Sequence, residues 1–144
     1  MEAHKNANLP KQSDGMRLSE NAERILGEAV TGTLCIADAT GMPNATPVWF
    51  LWKEGRIWVS THAGRQKHVN AVRAGEGSFS LIDPVNPSHY VELRGELRVI
   101  DDPDMAVRDE VVRKHGYPDG SAFDPATAKR VAIILVPNRV LGRN

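Results

Sequence analysis

Residues 45–53, ATPVWFLWK, then Glu54-Gly55, then residues 56–61, RIWVST, form the stretch that decides the architecture. Aromatic and β-branched side chains dominate both runs, as a pleated sheet favours. Glu54-Gly55 between them has the length and composition of a tight hairpin turn. The first run is apolar on both faces: Val48, Phe50 and Trp52 point one way, while Pro47, Trp49 and Leu51 point the other. An antiparallel strand with one wet face would alternate with polar residues. Two dry faces need a second cover, which a helix, a partner subunit or a flat cofactor can supply. With few helices in so small a chain, a subunit interface is the favoured cover.

Working outward, residues 33–38 read as a strand and residues 39–43 as a turn. Upstream, Leu18, Ala22, Ile25, Leu26, Ala29 and Val30 recur at helical spacing, with Ser19 as N-cap and Gly32 as the stop. Residues 1–17 are polar and aperiodic, which predicts a mobile tail ahead of one domain over 18–144. Downstream, residues 65–74 read as a short helix, 77–83 as a strand, and Pro84 and Pro87 keep the next segment irregular.

Residues 89–100 alternate most cleanly. His89, Val91, Leu93, Leu97 and Val99 share one face, and Glu92, Arg94, Glu96 and Arg98 the other. Gly95 falls on the inward face, where it signals a bulge or sharp bend. Acids and Pro103 open a helix that ends near His115-Gly116. Residues 117–128 are loop-like, and VAIILV, 131–136, is a last strand apolar on both faces. About six strands, mostly consecutive, and three helices predict a mainly β fold, an antiparallel barrel with peripheral helices.

The composition narrows the function. At 144 residues, 41% of them hydrophobic, the chain can build one real core. Eighteen basic and eighteen acidic residues cancel, so no global field draws in nucleic acid or an anionic membrane. The single cysteine, Cys35, lies in an apolar run and excludes an internal disulfide framework, as suits a reducing cytosol. No apolar run approaches the ~20 residues of a membrane span, and a cytoplasmic protein is expected.

Chemistry concentrates in STHAGRQKHVN, residues 60–70, which leaves a strand, turns through Gly64 and enters a helix. Arg65 and Lys67 fall in the first helical turn, where the macrodipole disfavours cations. An anion would reconcile them with that position. Free N–H groups, the Ser60 and Thr61 hydroxyls, the Arg65 fork and the Lys67 ammonium can converge on one phosphate, with Asn70 a turn further on. The other reading is a solvated basic turn with incidental hydroxyls. Spacing alone leaves both open. No nucleotide-binding glycine motif is present, the histidines lack metal-ligand spacing, and no G-x-S-x-G elbow aims Ser80 as a nucleophile. Trp49, Trp52 and Trp58 are core residues by default, any of which can instead touch a cofactor ring.

The helix, the stretch Gly41-Met42-Pro43 through Pro47-Val48-Trp49-Phe50-Leu51-Trp52, and the pattern S-T-x-x-x-R-x-K-x-x-N at 60–70 together resemble the pyridoxamine 5′-phosphate oxidase-like split β-barrel superfamily. Residues 138–142, NRVLG, look like the closing strand of its flavin/deazaflavin oxidoreductase branch, and the whole is most similar to group B, which uses coenzyme F-420 and includes biliverdin reductase-like members. The resemblance spans residues 18–142. It implies an FMN-binding split-barrel fold and a homodimer with cofactor sites at the subunit interface. Ser60, Thr61, Arg65, Gln66, Lys67 and Asn70 would hold the cofactor phosphate end, and Thr46, Pro47, Val48 and Trp49 would line the tricyclic ring. Lys53 and Arg73 are further cations for a longer anionic tail. No catalytic residue and no metal ligand is implied, because the cofactor carries the hydride. The implied activity is F-420-dependent hydride transfer to a small conjugated organic molecule. FMN-dependent oxidase or reductase chemistry is the first alternative, and a non-catalytic flavin, F-420 or haem binder the second.

Overall fold

The computed structural model describes Leu9 and residues 16–144, so most of the expected tail lies outside the described residues. Seven strands form one antiparallel sheet: β1 Gly32–Ala37, β2 Pro43–Val48, β3 Leu51–Lys53, β4 Arg56–His62, β5 Glu76–Ile82, β6 Tyr90–Asp101 and β7 Arg130–Leu141. Their order is β2-β1-β5-β6-β7-β4-β3. Helices α1 Glu20–Leu26, α2 Gln66–Ala74 and α3 Ala106–Arg113 lie around it.

The run at 45–53 is not one strand, and this raises the count from six to seven. Its first half pairs with β1 and its second half with β4, at opposite edges of the sheet. Only Trp49 and Phe50 join those edges. A three-residue step spans ~10 Å at most, so the sheet must curl until its edges nearly meet, giving a barrel left open along one seam. Side-chain alternation survives the break: Val48 and Phe50 stay in the inner core, while Trp49 and Leu51 pack outside.

Two apolar cores result. The inner one holds Leu34, Phe50, Ile57, Phe79, Leu93, Ile133 and Leu135, capped by Ala22, Ile25 and Leu26 of α1. The outer one joins Val107 and Val111 of α3 to Trp58, Ala132, Ile134 and Val136. β7 is dry on both faces because it stands between them. A helix of the same chain thus covers the outer apolar face, including Trp49 and Leu51 of the doubly apolar run.

Local chemistry explains the boundaries. The Ser19 hydroxyl accepts the Ala22 N–H at 3.0 Å and starts α1 as expected. The helix stops at Gly27 rather than running to Gly32, its last carbonyls taken by the Gly27 N–H. Gly32 instead opens β1, where the Phe79 ring occupies the space a β-carbon would need. The β3–β4 turn places Glu54 at φ 55° and Gly55 at φ 70°, the mirror-image turn whose twist suits a hairpin. The expected irregularity at Gly95 is a register shift in the β6–β7 ladder, with the Val136 carbonyl pressed onto the glycine.

Candidate functional site

A cleft of about 220 Å³ opens beside the seam. Pro47, Val48 and Trp49 at the end of β2 form one wall, and Val111, Val112 and Phe123 another. Ser60 of β4, Lys67 of α2, Arg108 of α3 and Arg130 of β7 supply its polar lining. A half-apolar slot with cations along it suits a flat ring carrying an anionic group.

The residues singled out in the sequence separate into two sets. Pro47, Val48, Trp49, Ser60 and Lys67 line the cleft. Thr46, Thr61, Arg65, Gln66 and Asn70 do not. Thr61 alternates with Ser60 and is buried. Thr46 spends its hydroxyl on Asn44, 3.3 Å away. Asn70 lies fully buried on the inner side of α2, its carbonyl oxygen accepting from Gln66 at 2.8 Å and Arg73 at 3.1 Å. Arg65 is the N-cap of α2 and is exposed beside the cleft, with no side-chain cap bond. The two further cations are engaged elsewhere: Lys53 pairs with Glu110 at 2.9 Å, and Arg73 also donates to the Ala37 carbonyl.

Among the described residues, neither Arg65 nor Lys67 has a carboxylate partner within ion-pair distance. Burial, and then the charges of Arg65 and Arg130, push the Lys67 ammonium below its ordinary pKa. A half-buried cation disfavoured by two other cations gains from an incoming anion. The first N–H groups of α2 have no intrahelical acceptor and sit at the same place.

Behind the cleft stands a buried hub. The Asp124 carboxylate, 1% exposed, accepts from Arg130 Nε at 2.9 Å and from its second terminal nitrogen at 2.6 Å, and from Arg108 at 3.0 Å. His62 Nε2 is 2.8 Å from the same group. The Arg130 fork foremost, with Arg108 and His62, holds the Asp124 carboxyl far below the usual carboxylate range against the opposing cost of burial. Arg130 also reaches the Ser60 hydroxyl at 3.4 Å. His62 is therefore hydrogen-bonded to a buried carboxylate.

The aromatic wall has its own order. Trp49 stacks on His115 and meets Phe123 edge-on at 6.0 Å, and Tyr117 and Phe123 pack at 5.0 Å. Of the three tryptophans only Trp49 reaches the cleft. Trp58 is buried with its indole N–H on the Lys53 carbonyl, and Trp52 donates to Glu23.

Sequence reading missed Arg108, Val111, Val112, Phe123, Asp124 and Arg130. Arg130 reaches Ser60 only because β7 pairs with β4, placing it opposite His62 across 68 residues of chain. Asp124 and Phe123 sit in the segment read as loop, which includes one 3-10 turn over Ser121–Phe123. No local periodicity marks such residues.

Among the described residues no helix is long and apolar enough to cross a membrane. Comparison with curated proteins gave no match. Among solved structures, the chain is similar to an F420 reductase, with 28% identity, a TM-score of 0.77, and coverage of 86% of this chain and 98% of the other. A conserved hypothetical protein of Mycobacterium tuberculosis is 26% identical, with a TM-score of 0.73 and coverage of 94% and 90%. The general stress protein 26 of Bacillus anthracis, 17% identical with a TM-score of 0.67 over 89% and 95%, shares the fold. The family model described as pyridoxamine 5′-phosphate oxidase matches residues 18–143, nearly the whole described barrel, and this chain belongs to that family.

Proposed function

We propose that the protein is a coenzyme F-420-dependent oxidoreductase of the flavin/deazaflavin type. The observation that carries this reading is the Lys67–Arg65 pair at the start of α2, without a carboxylate partner among the described residues and set beside an apolar slot made by Pro47, Val48 and Trp49. The likeness to an F420 reductase over nearly all of that chain favours deazaflavin over FMN.

In this reading Lys67, Arg65, the Ser60 hydroxyl and the α2 N–H groups hold the cofactor's phosphate, while Pro47, Val48 and Trp49 flank its ring. The bound deazaflavin supplies hydride chemistry, and the chain's own residues bind, orient and exclude water. Thr61, Gln66 and Asn70 shape this site from behind: Thr61 anchors β4 in the core, and the Gln66–Asn70–Arg73 contacts hold α2. The reading includes a homodimer with sites at the interface, in the reducing cytoplasm. Val69 and Val72 on α2, with Ile82, Val85 and Tyr90, are exposed apolar positions that such a contact would cover.

The test is turnover. Reduced F-420 mixed with the protein and a panel of conjugated acceptors is expected to be oxidised with at least one of them, faster than without protein. Binding of reduced F-420 with no oxidation across the panel would favour a carrier.

A further inference from the structure

Arg108 and Arg130 come from different elements, α3 and β7, yet both end at the cleft that holds Lys67 and Ser60. Two guanidinium groups beside an ammonium repel one another, and flexible side chains would separate in water. Here they do not, because one carboxylate fixes both. Asp124 takes two bonds from Arg130 and one from Arg108. Its side chain is 1% exposed, so it faces the arginines and not the solvent.

The rest of the surroundings supports the same orientation. Arg108 is held a second time by Asp109, whose carboxylate also accepts the Gly120 N–H at 2.8 Å. The Arg108 side chain lies across Gly120, where a β-carbon would stand 2.6 Å from Cδ. The backbone N–H of Arg108 is received by the buried Asp102 carboxylate at 3.1 Å, which fixes the start of α3. The loop that carries Asp124 also carries Phe123, a wall of the cleft.

We propose that Asp124 is a positioning residue that aims Arg108 and Arg130 at the anionic end of the bound ligand. This rests on the anionic-cofactor reading above and names the group that organises that site. The guanidinium groups need not release Asp124 to act, because Arg presents five donors and the carboxylate occupies only some of them.

Asp124→Asn separates this role from a simple charge effect. The substitution makes the site more positive, which alone would tighten phosphate binding. Loss of positioning acts the other way, since an amide accepts on one side only and turns N–H groups toward a guanidinium. The experiment is a pair of fluorescence titrations, with F-420 and with its chromophore lacking the phosphate-bearing tail, run on parent, Asp124→Asn and Arg130→Lys. Arg130→Lys keeps the charge and removes the two-pronged bond, so it stands in if the first variant folds poorly.

The expected result is tenfold or greater weakening for F-420 in both variants, with the phosphate-free chromophore bound within about twofold of the parent. Asp124→Glu should recover part of the loss. Unchanged or tighter F-420 binding in both variants would overturn the proposal. So would equal weakening of both ligands, which marks a merely structural role. Failure of the parent to bind either ligand would instead overturn the cofactor reading.

Discussion

Trp49 lies flat on His115, with ring centroids 4.0 Å apart and planes 9° from parallel. The contact ties the seam of the barrel, where Trp49 bridges the two sheet edges, to the end of α3. Trp49 is thereby held as one wall of the cleft while its other neighbours, Tyr117 and Phe123, close in from the loop. Trp49→Ala is expected to weaken binding of the cofactor ring, with or without its phosphate, by about 1–3 kcal/mol, the range measured for stacking on an aromatic side chain. Titration with the phosphate-free chromophore checks this. Unchanged affinity would remove Trp49 from the ring site.

The two cations of α2 differ in placement, so they should differ in effect. Lys67 lines the cleft, and Arg65 stands exposed at the helix cap. Lys67→Ala should cost about 1.5–3 kcal/mol in F-420 affinity, as for a charged hydrogen bond, and Arg65→Ala should cost less. Size-exclusion elution should be unchanged in both. Parent-like affinity in both variants would mean that the phosphate lies elsewhere.

Lys114 gives a pH-dependent signature away from the cleft. Its ammonium sits 3.9 Å over the Phe50 ring, 3.4 Å from the Phe50 carbonyl and 3.5 Å from that of Leu26. Burial lowers its pKa from 10.5 to about 8. The unfolded chain therefore holds more protons between those values, and raising the pH from about 8 to 10.5 stabilises the fold. Lys67, also lowered, acts in the same direction. Lys114→Met should flatten the slope of stability against pH in that window, as read by urea unfolding at several pH values. An unaltered slope would place the titration on other groups.

How much of this was legible in the sequence depends on how local each cause is. Ser19, Glu54-Gly55 and Gly95 act through bonds and dihedrals within a few residues, so cap, hairpin and bulge could all be read directly. The two dry faces of VAIILV were equally plain, and α3 explains the outer one. The break at Trp49–Phe50 was hidden because alternation continues through it: a period of two records which face a side chain takes, not which strand its backbone pairs with. The arginine hub was hidden for a related reason. Arg108, Asp124 and Arg130 meet only after β7 has paired with β4 and α3 has packed on both.

Gly32 tests the packing of the inner core. A β-carbon there would enter the Phe79 ring, which is itself packed at 4.7 Å against Phe50. Gly32→Ala should destabilise the barrel by about 1–3 kcal/mol, the usual cost of overpacking a filled core. Urea unfolding measures it. A loss below a few tenths of a kcal/mol would show that Phe79 can move aside freely.

The most direct test of the central claim is a side-by-side equilibrium titration of the purified apo protein with coenzyme F-420 and with FMN, followed by ligand fluorescence at one salt concentration. F-420 is expected to bind saturably and at least tenfold more tightly than FMN, and Lys67→Ala to bind F-420 more weakly than the parent. Tighter binding of FMN, or no binding of F-420, would contradict it.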